Sequence, residues 1–115
     1  MKLPNYDRAI VPESKITKYL LSPTHEDGKS KEKFFTAFGF SISEWETMAN
    51  SLCLHAASHE VSEIKEALFG TRYIIEGEIE TPDCRNPDIR AVWIIEDGES
   101  IPSFVTAHKL RRRKQ

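Results

Sequence analysis

Residues 89–108, IRAVWIIEDGESIPSFVTAH, decide how this chain is read, because they spell two apolar strands joined by an Asp97-Gly98 turn. Alternate residues of a strand point to opposite faces. Val92, Trp93, Ile94 and Ile95 are apolar on both, so this strand is expected to be central in its sheet or covered on both sides. The returning strand ends in Thr106 and His108, two residues apart and therefore on one face, which sets a hydroxyl beside an imidazole. Pro102 has no amide hydrogen for a ladder and belongs at a strand beginning or on an unpaired edge.

Working outward, residues 71–80, TRYIIEGEIE, alternate Tyr73, Ile75 and Ile79 against Arg72, Glu76, Glu78 and Glu80, the pattern of a half-buried strand. Gly77 inside it suggests a bulge or a close backbone approach. Residues 61–69 mix Ile64, Leu68 and Phe69 with charges and fit either a helix tail or an edge strand. Between the strands, TPDCRNP (81–87) is dense in turn residues.

Helices precede the strands. Ile16, Tyr19 and Leu20 fall at i, i+3 and i+4 with Lys15 and Lys18 off the stripe, and Ser22-Pro23 ends that helix. A polar loop, THEDGKS (24–30), leads to a second helix with a Phe34, Phe35, Phe38 face and Gly39 as its left-handed stop. Lys29, Lys31 and Lys33 cluster at its start, either as an anion site or as scattered surface charge. A third helix carries the stripe Trp45, Met48, Ala49, Leu52, Cys53, Ala56, with Ser43 and Glu46 spaced as a capping box. His55 and His59 lie four apart on it and read as exposed or partly buried, with no third ligand to make a metal site. Ile10 and Val11 are available to pin the irregular lead-in to the core. The expected fold is α+β, with three short N-terminal helices packed on one face of a three- to four-stranded antiparallel sheet. Residues 1–108 form a single domain, and residues 109–115 are a basic tail expected to be disordered.

With 115 residues, 39% of them hydrophobic and 30% charged, a second domain does not fit. The net charge of -2 is uneven: Lys109, Arg111, Arg112, Arg113 and Lys114 hold five of the 16 basic residues, leaving 11 against 18 acidic residues and a body at -7. A uniform basic face for phosphate backbones is therefore not evident. No apolar run approaches the roughly 18 residues needed to span a bilayer, and residues 1–12 lack a secretory signal, so a cytoplasmic protein without membrane contact is expected. Cys53 and Cys84 fit reduced thiols rather than a disulfide or zinc framework. No metal or cofactor signature is found. Nothing in the pattern fixes an oligomeric state.

The motifs K-x-x-K-Y-L-L, H-x-x-G-K-x-K-x-x-F-F-x-x-x-G-F, F-G-T-R-Y, V-W-I-I and P-x-F-V-T-A, spread from Lys15 to His108, resemble a small bacterial family known only as a domain of unknown function. That resemblance implies relatives among the C-terminal modules of polymorphic toxins. Helices followed by an antiparallel sheet are also similar to the ribonuclease superfamily that includes barnase, EndoU, colicin ribonucleases and RelE-type toxins, a fold-level analogy. Family sequences tend to carry Tyr-Pro after V-T-A, whereas this chain has His108-Lys109, which makes His108 a local feature of this chain.

Metal-free RNA cleavage needs a base for the 2′-hydroxyl proton, an acid for the leaving oxygen, and cations to offset charge developing on phosphorus. Histidine suits the first two roles because it titrates near neutrality, and the chain offers His25 and His108. Lys31 and Thr106 complete the candidate catalytic set, and Lys29, Arg72 and Arg90 the candidate binding set. A metal-independent endoribonuclease acting on RNA is one expectation. The other is a non-enzymatic module of a toxin–antitoxin-like pair that binds a neighbouring-gene protein, which the acidic body favours. Convergence of the candidate residues separates the two.

Overall fold

The computed structural model describes residues 1–22 and 29–110, with side chains at positions 29 and 30 left aside. The strands make one antiparallel meander: β1 (Val61–Ala67), β2 (Gly70–Glu78), β3 (Asp88–Glu96) and β4 (Ser103–Lys109), in that spatial order. The ambiguous 61–69 segment is thus an edge strand over Val61–Ala67 followed by a turn at residues 68 and 69, and the sheet has four strands. The apolar 92–95 run lies on β3, an inner strand, as its composition requires. Trp93 is fully buried and meets Phe104 edge-on at 5.4 Å between ring centroids.

Helices cover one face. Glu13–Lys15 and the π-helical turn Ile16–Leu20 form α1, Lys29–Ala37 form α2, and Trp45–Ser58 form α3. Ile16, Leu20, Phe35, Met48, Leu52 and Ala56 from the helices pack with Ile75, Ile89, Ala91, Trp93 and Ala107 from the sheet in one core. Phe35 is buried at the centre of the α2 face, and Gly39 stops that helix at φ 102°, where an added Cβ would sit 2.9 Å from Pro82. The expected α+β architecture is the one observed.

Several local expectations are corrected. The capping box does not form: α3 starts at Trp45 after a 3-10 turn at Ile42–Glu44, its N-cap Glu44 makes no side-chain cap bond, and Ser43 Oγ bonds Ser41 Oγ instead. The β3–β4 connection is longer than a two-residue hairpin. Glu99 N–H donates to Glu96 C=O around the Asp97-Gly98 turn, but β4 begins only at Ser103, after Pro102. Pro102 therefore stands at a strand beginning, and its carbonyl accepts from Ile10 N–H while Phe104 N–H donates to Ile10 C=O, pinning the lead-in to the outer edge of β4. Gly77 makes a close approach rather than a bulge. Its pairing with Ile89 is regular, and an added Cβ would lie 2.6 Å from the His59 ring. The bulges fall elsewhere, on β1 between Val61 and Glu63 and opposite Val92 and Trp93 on β4.

The β3–β4 ladder continues past His108, with Leu110 N–H donating to Asp88 C=O at 3.1 Å. Lys109 and Leu110, expected to begin a disordered tail, are therefore ordered, and the remainder of that expectation, residues 111–115, lies outside the described residues.

Candidate functional site

The β4 register answers the question of convergence. His108 pairs directly with Arg90, and Thr106 with Val92, so both β4 residues share a face with Arg90. This face lies opposite the helix-packed core, which Ala91 and Ala107 enter from the positions between. Arg90 also pairs with Glu76 on β2, and its guanidinium reaches Glu76 at 3.5 Å and Glu63 at 3.2 Å. Lys65 holds the other Glu63 oxygen at 3.6 Å. Arg90 is therefore oriented and partly neutralised.

From the helix layer, Tyr19 reaches β4 and shares a hydrogen bond of 3.0 Å with Thr106 Oγ1. The Lys31 ammonium lies 5.6 Å from the Tyr19 ring centre and that of Lys15 lies 5.9 Å from it, both within cation–π range. The chain positions Tyr19 through a π-helical turn, in which Leu21 N–H donates to Ile16 C=O at 2.8 Å. Wider turns of this kind recur at functional positions because they redirect a side chain without ending the helix. His108 is exposed at the end of β4. Partial burial, with Lys31 and Arg90 beside it, holds its pKa below the ordinary histidine value against the opposing pull of Glu76. A neutral imidazole, a paired hydroxyl couple and basic groups from three elements thus meet at one edge of the sheet. Chemically, that arrangement offers a proton acceptor next to an anion-attracting rim.

Of the candidates read from sequence, Lys31, Thr106, His108 and Arg90 come together. Arg72 does not: it pairs with Ile94 and Lys65, four positions along β2 from Glu76 and so about 13 Å from the Arg90 pairing at strand rise. His25 lies outside the described residues, as does the Lys29 side chain, although Lys29 begins α2. Tyr19 and Lys15 are the additions. The sequence pattern places Tyr19 on the buried stripe and Lys15 off it, yet both stand in the K-x-x-K-Y-L-L motif, four residues apart, where helical spacing brings side chains together.

Of the two histidines at the end of α3, His59 is partly buried as expected, whereas His55 departs from expectation. His55 is buried, 2% exposed, with Nε2 3.1 Å from Gly77 O, while His59 Nε2 lies 2.8 Å from Glu78 O and the rings sit 4.8 Å apart. Burial, then the neighbouring His59, pushes the His55 pKa down to about 4 despite the Gly77 bond. The neutral ring consequently donates from Nε2 to the carbonyl, and Nδ1 is left buried without a partner among the described residues. These side chains fasten α3 to β2. Cys53 and Cys84 are free thiols, and burial raises the Cys53 pKa. A hollow of about 260 Å³ lined by Ile10, Ile94, Glu96, Glu99, Ile101 and Ser103 lies toward the other end of the β3–β4 pair and includes none of the candidate residues. Among the described residues, no helix is long and apolar enough to cross a membrane.

The four-stranded sheet with helices on one face is similar to a solved chain from a contact-dependent growth inhibition toxin–immunity protein complex of Klebsiella pneumoniae 342. The TM-score is 0.62 at 13% identity, covering 85% of this chain and 96% of that one, a likeness of fold. Residues 2–111 match the family described as a domain of unknown function (DUF6883), and the chain belongs to that family. Among curated proteins, no sequence matches it significantly.

Proposed function

We propose that this chain is a metal-independent ribonuclease-like toxin module whose site lies at the β4 edge. The observation that carries this reading is the meeting of His108, Thr106, Tyr19, Lys31 and Arg90 from β4, α1, α2 and β3. In the proposed reaction, neutral His108 accepts the 2′-hydroxyl proton as that oxygen attacks the adjacent phosphorus. Lys31 and Arg90 offset the negative charge that builds on the phosphoryl oxygens, and the Tyr19–Thr106 pair donates a hydrogen bond to one of them. The proton for the departing 5′-oxygen is assigned to His25, the other histidine of the candidate catalytic set. The likeness to a chain from a toxin–immunity complex supports membership of a toxin or immunity module, and the toxin reading rests on the residues above.

The test is incubation of purified protein with total RNA in the presence of a chelator, alongside expression in a host cell. Cleavage that persists with the chelator and falls in His108→Ala supports the reading. Intact RNA throughout, with no difference between wild type and variant, removes it.

A second reading, a partner-binding module of a toxin–antitoxin-like pair, draws on a different observation. Glu63 and Glu76 neutralise much of Arg90, and the similar solved chain comes from a complex of a toxin with an immunity protein. Copurification with the product of the adjacent gene, without RNA cleavage, would favour it.

A further inference from the structure

The outer edge of β1 lies on the far side of the sheet from the proposed site. Ala67 and Gly70 flank a two-residue turn and form the closing pair of the β1–β2 hairpin, and antiparallel pairs alternate between bonded and non-bonded positions. Ile64 and Glu66 therefore direct their N–H and C=O groups away from β2. Among the described residues no other backbone bonds these outward groups, and apolar side chains accompany the edge: Ile64 is 50%, Leu68 84% and Phe69 71% exposed. Edge strands are commonly protected by a charge in mid-strand, and Lys65 occupies that place here.

Its effect depends on what stands opposite. In a two-fold antiparallel pairing centred on Ile64, the Ile64 residues of two copies exchange both backbone hydrogen bonds, because their free groups already point outward. The same register sets Lys65 directly opposite Glu63 of the other copy, twice by symmetry. Non-bonded cross-strand pairs are the closer ones, about 4.5 Å between Cα atoms, where opposite charges attract and like charges repel. Each Glu63 already bonds its own Lys65, so the joined face carries four alternating charges. The next register of the same parity, centred on Glu66, places the two Glu66 residues opposite each other and is disfavoured.

We propose that a second copy of this chain is the occupant of the β1 edge, pairing through residues 62–66 in the Ile64-centred register to make one continuous eight-stranded sheet from two four-stranded ones. Self-complementary charge selects this occupant over an unrelated strand. The pairing is independent of the nuclease reading, since it leaves the β4 edges at the two ends of the joined sheet.

Sedimentation or light scattering of the full chain over a concentration series tests it. The expected result is a mass that rises from one chain toward two with concentration. Ile64→Pro removes an outward N–H without removing a β1–β2 bond, and Lys65→Glu sets like charges opposite each other. Both should move the midpoint at least tenfold higher, with circular dichroism reporting whether each variant keeps its fold. One-chain mass up to the solubility limit overturns the proposal, and so does a dimer whose midpoint neither variant moves.

Discussion

Along β4 the outer edge is occupied, since Ile10 bridges to the strand start, Tyr19 bonds Thr106, and Lys31 comes close enough to depress the His108 pKa. Along the outer edge of β1, among the described residues, only the Val61 backbone is met, by Met1 C=O, and Ile64 remains half exposed. The difference follows from where the helices are fastened. Helices α1 and α2 sit toward β4, while α3 is tied by His55 and His59 to carbonyls of β2. One edge therefore gathers polar groups from several elements and suits chemistry. The other presents backbone and apolar side chains, which suit pairing.

The largest expected effect tests the occupied edge. His108→Ala should lower RNA cleavage by about 10²- to 10⁴-fold, the usual contribution of a positioned acid–base group, with thermal stability nearly unchanged because the residue is exposed at a strand end. A variant that cleaves like wild type would place the chemistry elsewhere.

Acid should loosen the β1 side before the β4 side. His55 has a folded pKa of about 4 against an ordinary 6.5, so the unfolded chain binds its proton first as pH falls. The stability is fully present above pH 6.5, is lost progressively toward pH 4, and amounts to about 3 kcal/mol. Hydrogen exchange at pH 7 and pH 5 should show α3 and β2 losing protection while the α1–β4 contact changes less. Uniform loss, or none, would break the distinction between the two sides.

The sheet was legible because its signals are local: the 92–95 run, the alternation at 71–80 and the glycine and proline punctuation each act within a few residues. The site was legible only in part. Thr106 and His108 share a face by strand period, and Lys31 and Arg90 were named for their charge, but their meeting depends on a register that the bulge on β4 helps set. Tyr19 escaped because a hydroxyl at the end of an apolar stripe looks like core until the strand it reaches is known. His55 was misplaced for a related reason. The α3 stripe was drawn through apolar residues, whereas the helix face against β2 includes an imidazole whose Nε2 satisfies a strand carbonyl. The capping box failed because a 3-10 turn took Ser43, leaving Glu44 as the N-cap of α3.

Lys31→Ala should act on the occupied edge through charge. Removing a cation from beside His108 lets the imidazole pKa rise toward its ordinary value, so the acidic limb of the cleavage profile should move to higher pH. Cleavage at the plateau should fall about tenfold from the lost phosphate contact. A lower rate with an unmoved limb would separate Lys31 from His108.

The smallest expected effect comes from Tyr19→Phe, which removes one hydroxyl and keeps the ring between Lys15 and Lys31. Loss of the bond to Thr106 should cost about 0.5–1.5 kcal/mol in denaturant unfolding, since Thr106 is only partly buried and water can replace the missing partner. If the hydroxyl serves only to fasten α1 to β4, Thr106→Val should cost a similar amount, the double variant should cost little more than either alone, and cleavage should follow stability. If it also donates to phosphate, Tyr19→Phe should slow cleavage at temperatures where the variant is fully folded, with the effect on the rate constant exceeding that on substrate affinity. The same substitution should leave self-association through β1 untouched, because the two edges are separated by the full width of the sheet.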